Sequence, residues 1–291
     1  MGTRGLVIYR RFPRAGLALA AMLASLVLAG LSLALLAGSS RAQAAPTINF
    51  GKGVLAGETS DRPTSLQFGP DGRLYVAQQD GAINISSVKR NAANDYAVTS
   101  TETINLVKAI PNHNDDGTLC TSATLGCNKR QVTGILVKGT AASPVIYVSS
   151  SDPRIGGGTD VGDKDTGLDT NSGVISKLTK GTSGWNKVDL VRGLSRSEEN
   201  HSLNGMQLVG NTLYVTAGGN ANQGAPSNNF AFLPEVALSA AILKVDLGAI
   251  GNTTYDLPTL DDPDRPGSPD AGDPFGGNDG LNQAKLVSGG P

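Results

Sequence analysis

The feature that most constrains the fold of this chain is an internal repeat of short strand patterns. Each of three segments contains an alternating strand, a turn, a strand centred on a tyrosine, a loop and a third β-rich strand. The central tyrosines are Tyr75, Tyr147 and Tyr214, which are separated by 72 and 67 residues. Many short strands bounded by Gly, Asn, Asp and Pro indicate an all-β protein. The segments are "RPTSLQFGPDGRLYVAQQDGAINISSV" (62–88), "RQVTGILVKGTAASPVIYVSSSDP" with "SGVISKLT" (130–153, 172–179), and "HSLNGMQLVGNTLYVTAGGN" with "SAAILKVDL" (201–220, 239–247).

Two all-β architectures are compatible with this repeat. Repeated four-stranded units with insertions on one side are typical of a β-propeller, and candidate fourth strands lie in "YAVTSTETINLV" and "WNKVDLVRGL". The alternative is a β-sandwich whose strands share turn chemistry. The same internal order in all three units favours the propeller. Because propellers close with 4–8 blades and about three are present, we expect residues 45–291 to be a partial propeller domain, the N-terminal half of a larger one.

The first 44 residues have the order of a secretory signal peptide. A basic segment without acidic residues precedes a long apolar run, and "AQA" at residues 42–44 supplies small residues for cleavage. The apolar run is also long enough to span a bilayer, so an uncleaved membrane anchor is the alternative. Both interpretations predict export, to the periplasm or outside the cell.

Charge and cysteine usage restrict the partners and the compartment. The formal net charge is −1 and no basic block follows residue 44, so a nucleic-acid partner has no electrostatic support. The two cysteines, Cys120 and Cys127, lie in "CTSATLGC". In an oxidising compartment this spacing predicts a local disulfide, and two thiols alone lack the further ligands of a structural zinc site.

Four motifs together resemble the glucose/sorbosone dehydrogenase family, and in particular its secreted bacterial branch of pyrroloquinoline quinone (PQQ)-dependent sugar dehydrogenases. They are "RPTSLQFGPDGRLYVAQQDG", "SDPRIGGG", "LDTNSGVISKL" and "NHSLNGMQLVGNTLYVTAGGN". The resemblance covers nearly all of residues 47–291. It implies a six-bladed propeller that binds PQQ, calcium and a sugar at one mouth of its central channel.

The resemblance makes His201 the candidate catalytic base. In the family a histidine at the entrance to an inner strand removes the proton of the sugar C1 hydroxyl while hydride passes to the quinone. Neighbouring Asn200, Asn204 and Gly205 are then the candidate cofactor contacts. Two features depart from the family pattern: one extra residue precedes Gly205, and Met206 stands where members often carry arginine. The alternative is that His201 is a polar residue at the start of a strand.

A calcium site has one candidate segment, "TDVGDKDTGLDTNSG". Asp163, Asp165 and Asp169 are spaced so that their carboxylates could wrap around Ca²⁺, which takes six to eight oxygen ligands. The segment lacks the glutamate of an EF-hand loop, and a plain polar loop is the alternative.

Two functions follow from these observations. The first is an exported quinoprotein oxidoreductase that oxidises an aldose or related sugar and passes the electrons to an acceptor that the sequence does not identify. The second is a non-catalytic secreted propeller that binds glycans or protein partners.

Overall fold

The computed structural model describes residues 50–114, 118–155, 171–220, 235 and 238–257. The chain divides into two units, Met1–Gly51 and Lys52–Pro291, and all the described strands lie in the second. These residues form thirteen strands and one four-residue helix, so the predicted all-β class is confirmed. Within these ranges no helix has the length and apolar character that a membrane crossing requires.

The first sheet has five strands in the order β1-β5-β4-β3-β2. Strands β2 to β5 form an antiparallel meander, and the two-residue strand β1 joins its outer edge parallel to β5. The strands are β1 (Leu55–Ala56), β2 (Pro63–Phe68), β3 (Leu74–Gln78), β4 (Ile83–Ala92) and β5 (Asp95–Ile104).

The second sheet has the same strand arrangement as the first. Within the described part of the chain, the third sheet contains the equivalents of β2, β3 and β4 only. The second sheet has the order β13-β9-β8-β7-β6, with β13 parallel to β9, and the third has the order β10-β11-β12. The strands of the second sheet are β6 (Gln131–Gly139), β7 (Pro144–Ser151), β8 (Gly173–Gly181), β9 (Gly184–Leu194) and β13 (Tyr255–Asp256). The third sheet contains β10 (Leu203–Val209), β11 (Thr212–Ala217) and β12 (Ala241–Asp246), and helix α1 (Leu247–Ile250) follows β12.

The turns between the first two strands of a unit form where the sequence predicts them. In "GPDG" the Gly69 amide donates to the Arg73 carbonyl at 2.9 Å, and Gly72 takes a φ of +74°, which glycine adopts without strain. Val209 pairs with Thr212 across a two-residue loop, and Gly210 in that loop has a φ of +57°. Both turns join antiparallel neighbours, as hairpin turn residues should.

The pairing register reproduces the sequence repeat. Each central tyrosine lies on the second strand of its repeated unit, which is β3, β7 or β11. It is opposite a residue of the unit's first strand and a residue of its third. The equivalent trios are Gln67, Tyr75 and Ile85; Leu136, Tyr147 and Lys177; and Gln207, Tyr214 and Lys244.

Two apolar clusters hold the three sheets together. One lies between the first and second sheets and includes Tyr75, Ile85 and Val137. The other lies between the second and third sheets and includes Tyr147 and Leu213. Burial of apolar surface between neighbouring sheets is the main stabilising contribution of such packing.

The strands that begin the three repeated units, β2, β6 and β10, are neighbours, and polar side chains join them. The Gln67 amide donates to the Val137 carbonyl at 3.0 Å and accepts from the Val137 N–H at 2.8 Å. Between β6 and β10, the Thr133 hydroxyl donates to the Leu203 carbonyl. The sheets therefore follow one another in chain order, with β2, β6 and β10 side by side.

The predicted disulfide is present. Cys120 and Cys127 are joined, their Cα atoms are 5.5 Å apart, and both side chains are buried. The loop that they close lies between the first and second sheets in the chain, immediately before β6.

Candidate functional site

A cleft of about 690 Å³ lies at the end of the sheets where β2 and β6 begin and β3 and β7 end. This volume is in the range of small-molecule sites, about 300–1,000 Å³. The disulfide-closed loop contributes residues 123–126 to its wall. Among its described lining residues, six are charged: Asp61, Asp80, Glu199, Arg62, Lys129 and Arg154.

His201 lies two residues before β10, and its imidazole is held by the chain. Its backbone N–H donates to the Glu198 carbonyl at 3.0 Å, and Nδ1 lies 2.9 Å from the Gly219 carbonyl oxygen. A carbonyl oxygen can only accept, so Nδ1 carries the hydrogen of this bond. In the neutral ring the basic lone pair is therefore on Nε2, which is the tautomer that a proton acceptor needs.

The Gly219 carbonyl that orients His201 is itself fixed by several contacts. It also accepts the Ser197 hydroxyl at 3.0 Å, and the next amide, Asn220 N–H, donates to a Glu235 carboxylate oxygen at 3.0 Å. Gly218 adds a close backbone approach, because a Cβ there would lie 2.8 Å from the His201 carbonyl carbon. The ring orientation thus depends on the strand end after β11 as well as on the start of β10.

The other predicted residues of this segment have different surroundings. Asn200, Asn204 and Gly205 are all exposed. The Asn204 carbonyl accepts the Ser149 hydroxyl at 2.8 Å, so its backbone joins the second and third sheets. Of the residues described in this segment, Glu199 lines the cleft and His201 does not.

A buried group of charged residues at this end of the sheets was not predicted from the sequence. The Arg154 guanidinium contacts the Asp152 carboxylate with Nη2–Oδ2 at 2.7 Å, and it donates to the Asn114 side chain at 2.7 Å. Arg196, which is fully buried, donates to the Arg154 carbonyl. Burial lowers the pKa of Arg196 to about 10, against the opposing effect of Asp152 and two nearby glutamates.

A third buried arginine, Arg130, forms hydrogen bonds to two other segments of the chain. Arg130 donates to the Asn112 side chain at 2.9 Å and to the Ser172 carbonyl. Asn112 in turn donates to the carbonyl of Lys129 at 2.7 Å. The sequence does carry a sign of this group, since "SDPR" places two opposite charges directly after an apolar strand, where a buried pair is the plain explanation.

Asp80 on the cleft wall is held in its ionised form. Burial by itself would raise the pKa of Asp80, but the Lys108 ammonium at 2.5 Å and the Ala82 N–H lower it below its ordinary value. The wall therefore keeps a negative charge at neutral pH, close to the exposed cation Lys129.

The calcium ligands predicted from the sequence are not among the residues that the structure describes. No group of three or more His, Cys, Asp or Glu side chains that could hold a metal ion occurs among them. The predicted ligands Asp163, Asp165 and Asp169 lie outside the described residues.

Comparisons with known proteins found similar solved structures, and two of them are described here. They are titled the iodide structure and the calcium structure of Trichoderma reesei Carbohydrate-Active Enzymes Family AA12, and each is 14% identical with a TM-score of 0.38. The alignments cover 70% and 69% of this chain and 40% of each of those chains, so this chain spans less than half of their length. No family model and no curated protein matches the chain.

Proposed function

We propose that this chain is part of an exported β-propeller that oxidises an aldose or related sugar, with PQQ as the electron acceptor and His201 as the base. The observation that carries the proposal is the bond from His201 Nδ1 to the Gly219 carbonyl. It leaves the basic lone pair of the neutral imidazole on Nε2, and His201 lies two residues before β10. The resemblance of the surrounding motif to the glucose/sorbosone dehydrogenase family supports sugar oxidation as the chemistry that such a base would serve.

The arrangement of the sheets supports the propeller. Three sheets built on the same antiparallel strand order follow one another, and the first antiparallel strands, β2, β6 and β10, are neighbours. Blades around a central channel have this relation, with the first strand of each blade innermost. In that arrangement the starts of β2, β6 and β10 face one mouth of the channel.

The proton step uses groups of this chain. Oxidation at C1 removes a hydride from carbon and a proton from the hydroxyl. Nε2 of His201 accepts that proton, and the imidazolium that forms is stabilised because Nδ1–H already donates to a carbonyl oxygen. PQQ, when bound, supplies the quinone that takes up the hydride.

The cleft, which Glu199 lines and His201 does not, carries three acidic and three basic side chains, and the exposed basic ones would hold PQQ, which is a tricarboxylate. Arg62 and Lys129 are exposed there and can contact carboxylates. Arg154 is already bonded to Asp152 and Asn114, so its role is to support the wall. The candidate calcium ligands Asp163, Asp165 and Asp169 lie outside the described residues.

Export is part of the proposal. The signal-like residues 1–44 predict passage across a membrane, and the Cys120–Cys127 disulfide is of the kind that persists in oxidising compartments. The function would therefore be exercised in the periplasm or outside the cell.

A second candidate is a propeller that binds glycans or protein partners without turnover. Met206 stands where members of the family often carry arginine, and this departure favours the second candidate. The two candidates share a fold and differ in redox chemistry.

The test is a reconstitution of the complete protein with PQQ and Ca²⁺. We expect reduction of an electron-accepting dye that depends on added aldose, together with a change in the quinone absorbance. Binding of PQQ without turnover on any aldose would favour the second candidate. Absence of both binding and turnover would contradict the proposed cofactor chemistry.

A further inference from the structure

One peptide unit of the chain, between Gly219 and Asn220, connects His201 to a carboxylate. Its carbonyl oxygen lies 2.9 Å from His201 Nδ1, and its N–H donates to Glu235 Oε2 at 3.0 Å. No cis peptide bond occurs among the residues that the structure describes, so the C=O and N–H of this unit point in opposite directions. The imidazole and the carboxylate therefore lie at the two ends of one peptide dipole.

The Glu235 carboxylate is held at the N–H end of this dipole by two donors. The Ser239 hydroxyl donates to the same oxygen as the Asn220 N–H, at 2.5 Å. Asn220 and Ser239 are both buried, so this oxygen is bonded to shielded groups although Glu235 itself is exposed. Because water screens a charge less where its partners are buried, the negative charge acts on the peptide unit.

The glycine at position 219 leaves room for this carboxylate. A Cβ at Gly219 would lie 2.8 Å from Glu235 Oε1 and 3.3 Å from the Ala240 Cβ. Gly219 is not among the glycines with a positive φ, so its backbone conformation is open to other residues. The close approach of Glu235 is therefore the reason that a side chain at position 219 is unfavourable.

A charge at the N–H end of a peptide changes the strength of the hydrogen bond at its C=O end. The carboxylate draws the peptide's electron density toward the carbonyl oxygen, and hydrogen bonds in such a chain strengthen one another by about 10–30% each. The Gly219 carbonyl is therefore a stronger acceptor for the His201 Nδ1–H than an isolated peptide would be. The Ser197 hydroxyl also donates to this carbonyl, but it carries no charge.

We propose that Glu235 is a positioning residue for His201 and acts on the imidazole through the Gly219–Asn220 peptide. It keeps Nδ1 protonated and the ring oriented, and its negative charge stabilises the imidazolium that forms when Nε2 accepts a proton. That proton stays on the ring, because the peptide transmits polarisation and transfers no hydrogen. The effect on the ring stands on the hydrogen bonds alone, whereas its consequence for turnover rests on the proposed function of His201.

The experiment compares the complete protein with its Glu235→Gln variant by NMR after ¹⁵N labelling of histidine. Glutamine keeps an oxygen that can accept the Asn220 N–H but removes the charge. We expect the His201 Nδ1–H proton resonance, assigned by its loss in His201→Asn, to move upfield while Nδ1 stays protonated. With PQQ and Ca²⁺, turnover should fall about 5- to 10-fold at a nearly unchanged KM, because charge-assisted hydrogen bonds are about twice as strong as neutral ones.

Glu58→Gln is the matched control, because Glu58 in the first sheet also accepts a backbone N–H (2.9 Å) and a hydroxyl (2.6 Å), both from Ser60. It should leave the His201 resonance and turnover unchanged. An unmoved Nδ1–H resonance in Glu235→Gln, or an equal shift in Glu58→Gln, would overturn the proposal.

A parent protein without turnover would contradict the sugar chemistry but not the NMR result, so the two failures are distinguishable. If Glu235→Gln does not fold, Gly219→Ala replaces it, since the added Cβ displaces the carboxylate. The same upfield shift is expected there, and its absence would likewise overturn the proposal.

Discussion

At the scale of single residues, the His201 imidazole is oriented by a backbone carbonyl that has a second hydrogen-bond donor of its own. The ring donates through Nδ1 to the Gly219 carbonyl, and the same carbonyl accepts the Ser197 hydroxyl. The Ser197 contact helps to hold this carbonyl in place, and the carbonyl in turn orients the ring through Nδ1. Gly218, which approaches the His201 backbone, allows this arrangement only because it has no side chain.

Replacement of His201 tests its role as a base. In the complete protein with PQQ and Ca²⁺, His201→Asn should lower turnover by about 10²- to 10⁴-fold, the loss typical of a positioned proton acceptor. PQQ affinity and the melting temperature should change little, since one hydrogen bond contributes about 1 kcal/mol. His113→Asn is the matched control, at the other histidine of the chain. Equal turnover in the two variants would contradict the assignment.

A pair of glycine variants tests the close approach at Gly218. A Cβ at Gly218 would lie 2.8 Å from the His201 carbonyl carbon, whereas at Gly205 the nearest atom is 4.0 Å away. Gly218→Ala should therefore lower the free energy of unfolding by about 1–3 kcal/mol and shift the His201 ring resonances in NMR spectra. Gly205→Ala should do neither. Similar effects of the two changes would show that the space around Gly218 is not restricting.

At the scale of elements, one carboxylate connects the first two sheets. Glu102 on β5 accepts from Arg73 of its own sheet at 3.0 Å, and from Lys180 and the Trp185 indole N–H (2.8 Å) of the second sheet. Burial acts to raise the pKa of Glu102, but these donors lower it below its ordinary value of 4.5. The ionised form is thus favoured by folding.

The sign of this shift predicts a pH dependence. A carboxyl group whose pKa is lower in the folded state stabilises the fold above its unfolded pKa, and that stabilisation is lost as the pH falls through the folded pKa. Glu102→Gln should therefore cost about 1 kcal/mol near neutral pH, since the group is partly exposed. The cost should shrink as the pH falls below 4.5. Denaturant unfolding across pH measures it, with Asp95→Asn on the same strand as the control. A pH-independent cost would contradict the electrostatic cause.

The disulfide loop is the second element whose contribution can be measured. Because it closes a short loop, the Cys120–Cys127 bond restricts the unfolded chain only modestly. Replacing both cysteines with serine should cost at most about 2–3 kcal/mol in the free energy of unfolding. The loop forms part of the cleft wall, so PQQ affinity should fall as well. Non-reducing mass spectrometry of exported protein should find the bond, and two free thiols would contradict its assignment.

At the scale of the whole molecule, the signal-like first 44 residues predict export and processing of the chain. The "AQA" motif predicts cleavage after Ala44, so the mature N-terminus should be Ala45. Intact-mass measurement of protein recovered outside the cytoplasm checks this. A mass that retains the apolar segment would instead favour the membrane anchor.

The sequence by itself determined the strands and their repetition. Alternating apolar residues and glycine-rich turns are local features, so the all-β class, the three units and the equivalent tyrosines followed from them. The Cys120–Cys127 bond was also predictable, because both partners lie in one short segment. The strand β1 was not predictable as the outer edge of the first sheet, since a two-residue parallel pairing leaves no periodic pattern.

Only the tertiary structure decided which side chains meet between units. The bond from His201 to Gly219 spans 18 residues, the contact of Arg154 with Asn114 spans 40, and that of Gln67 with Val137 spans 70. No local pattern specifies such pairs, because they depend on how neighbouring sheets pack and on which polar groups packing removes from water. For the same reason, the sequence marked Tyr75 and Tyr214 as equivalent, while packing buries the first and leaves the second exposed.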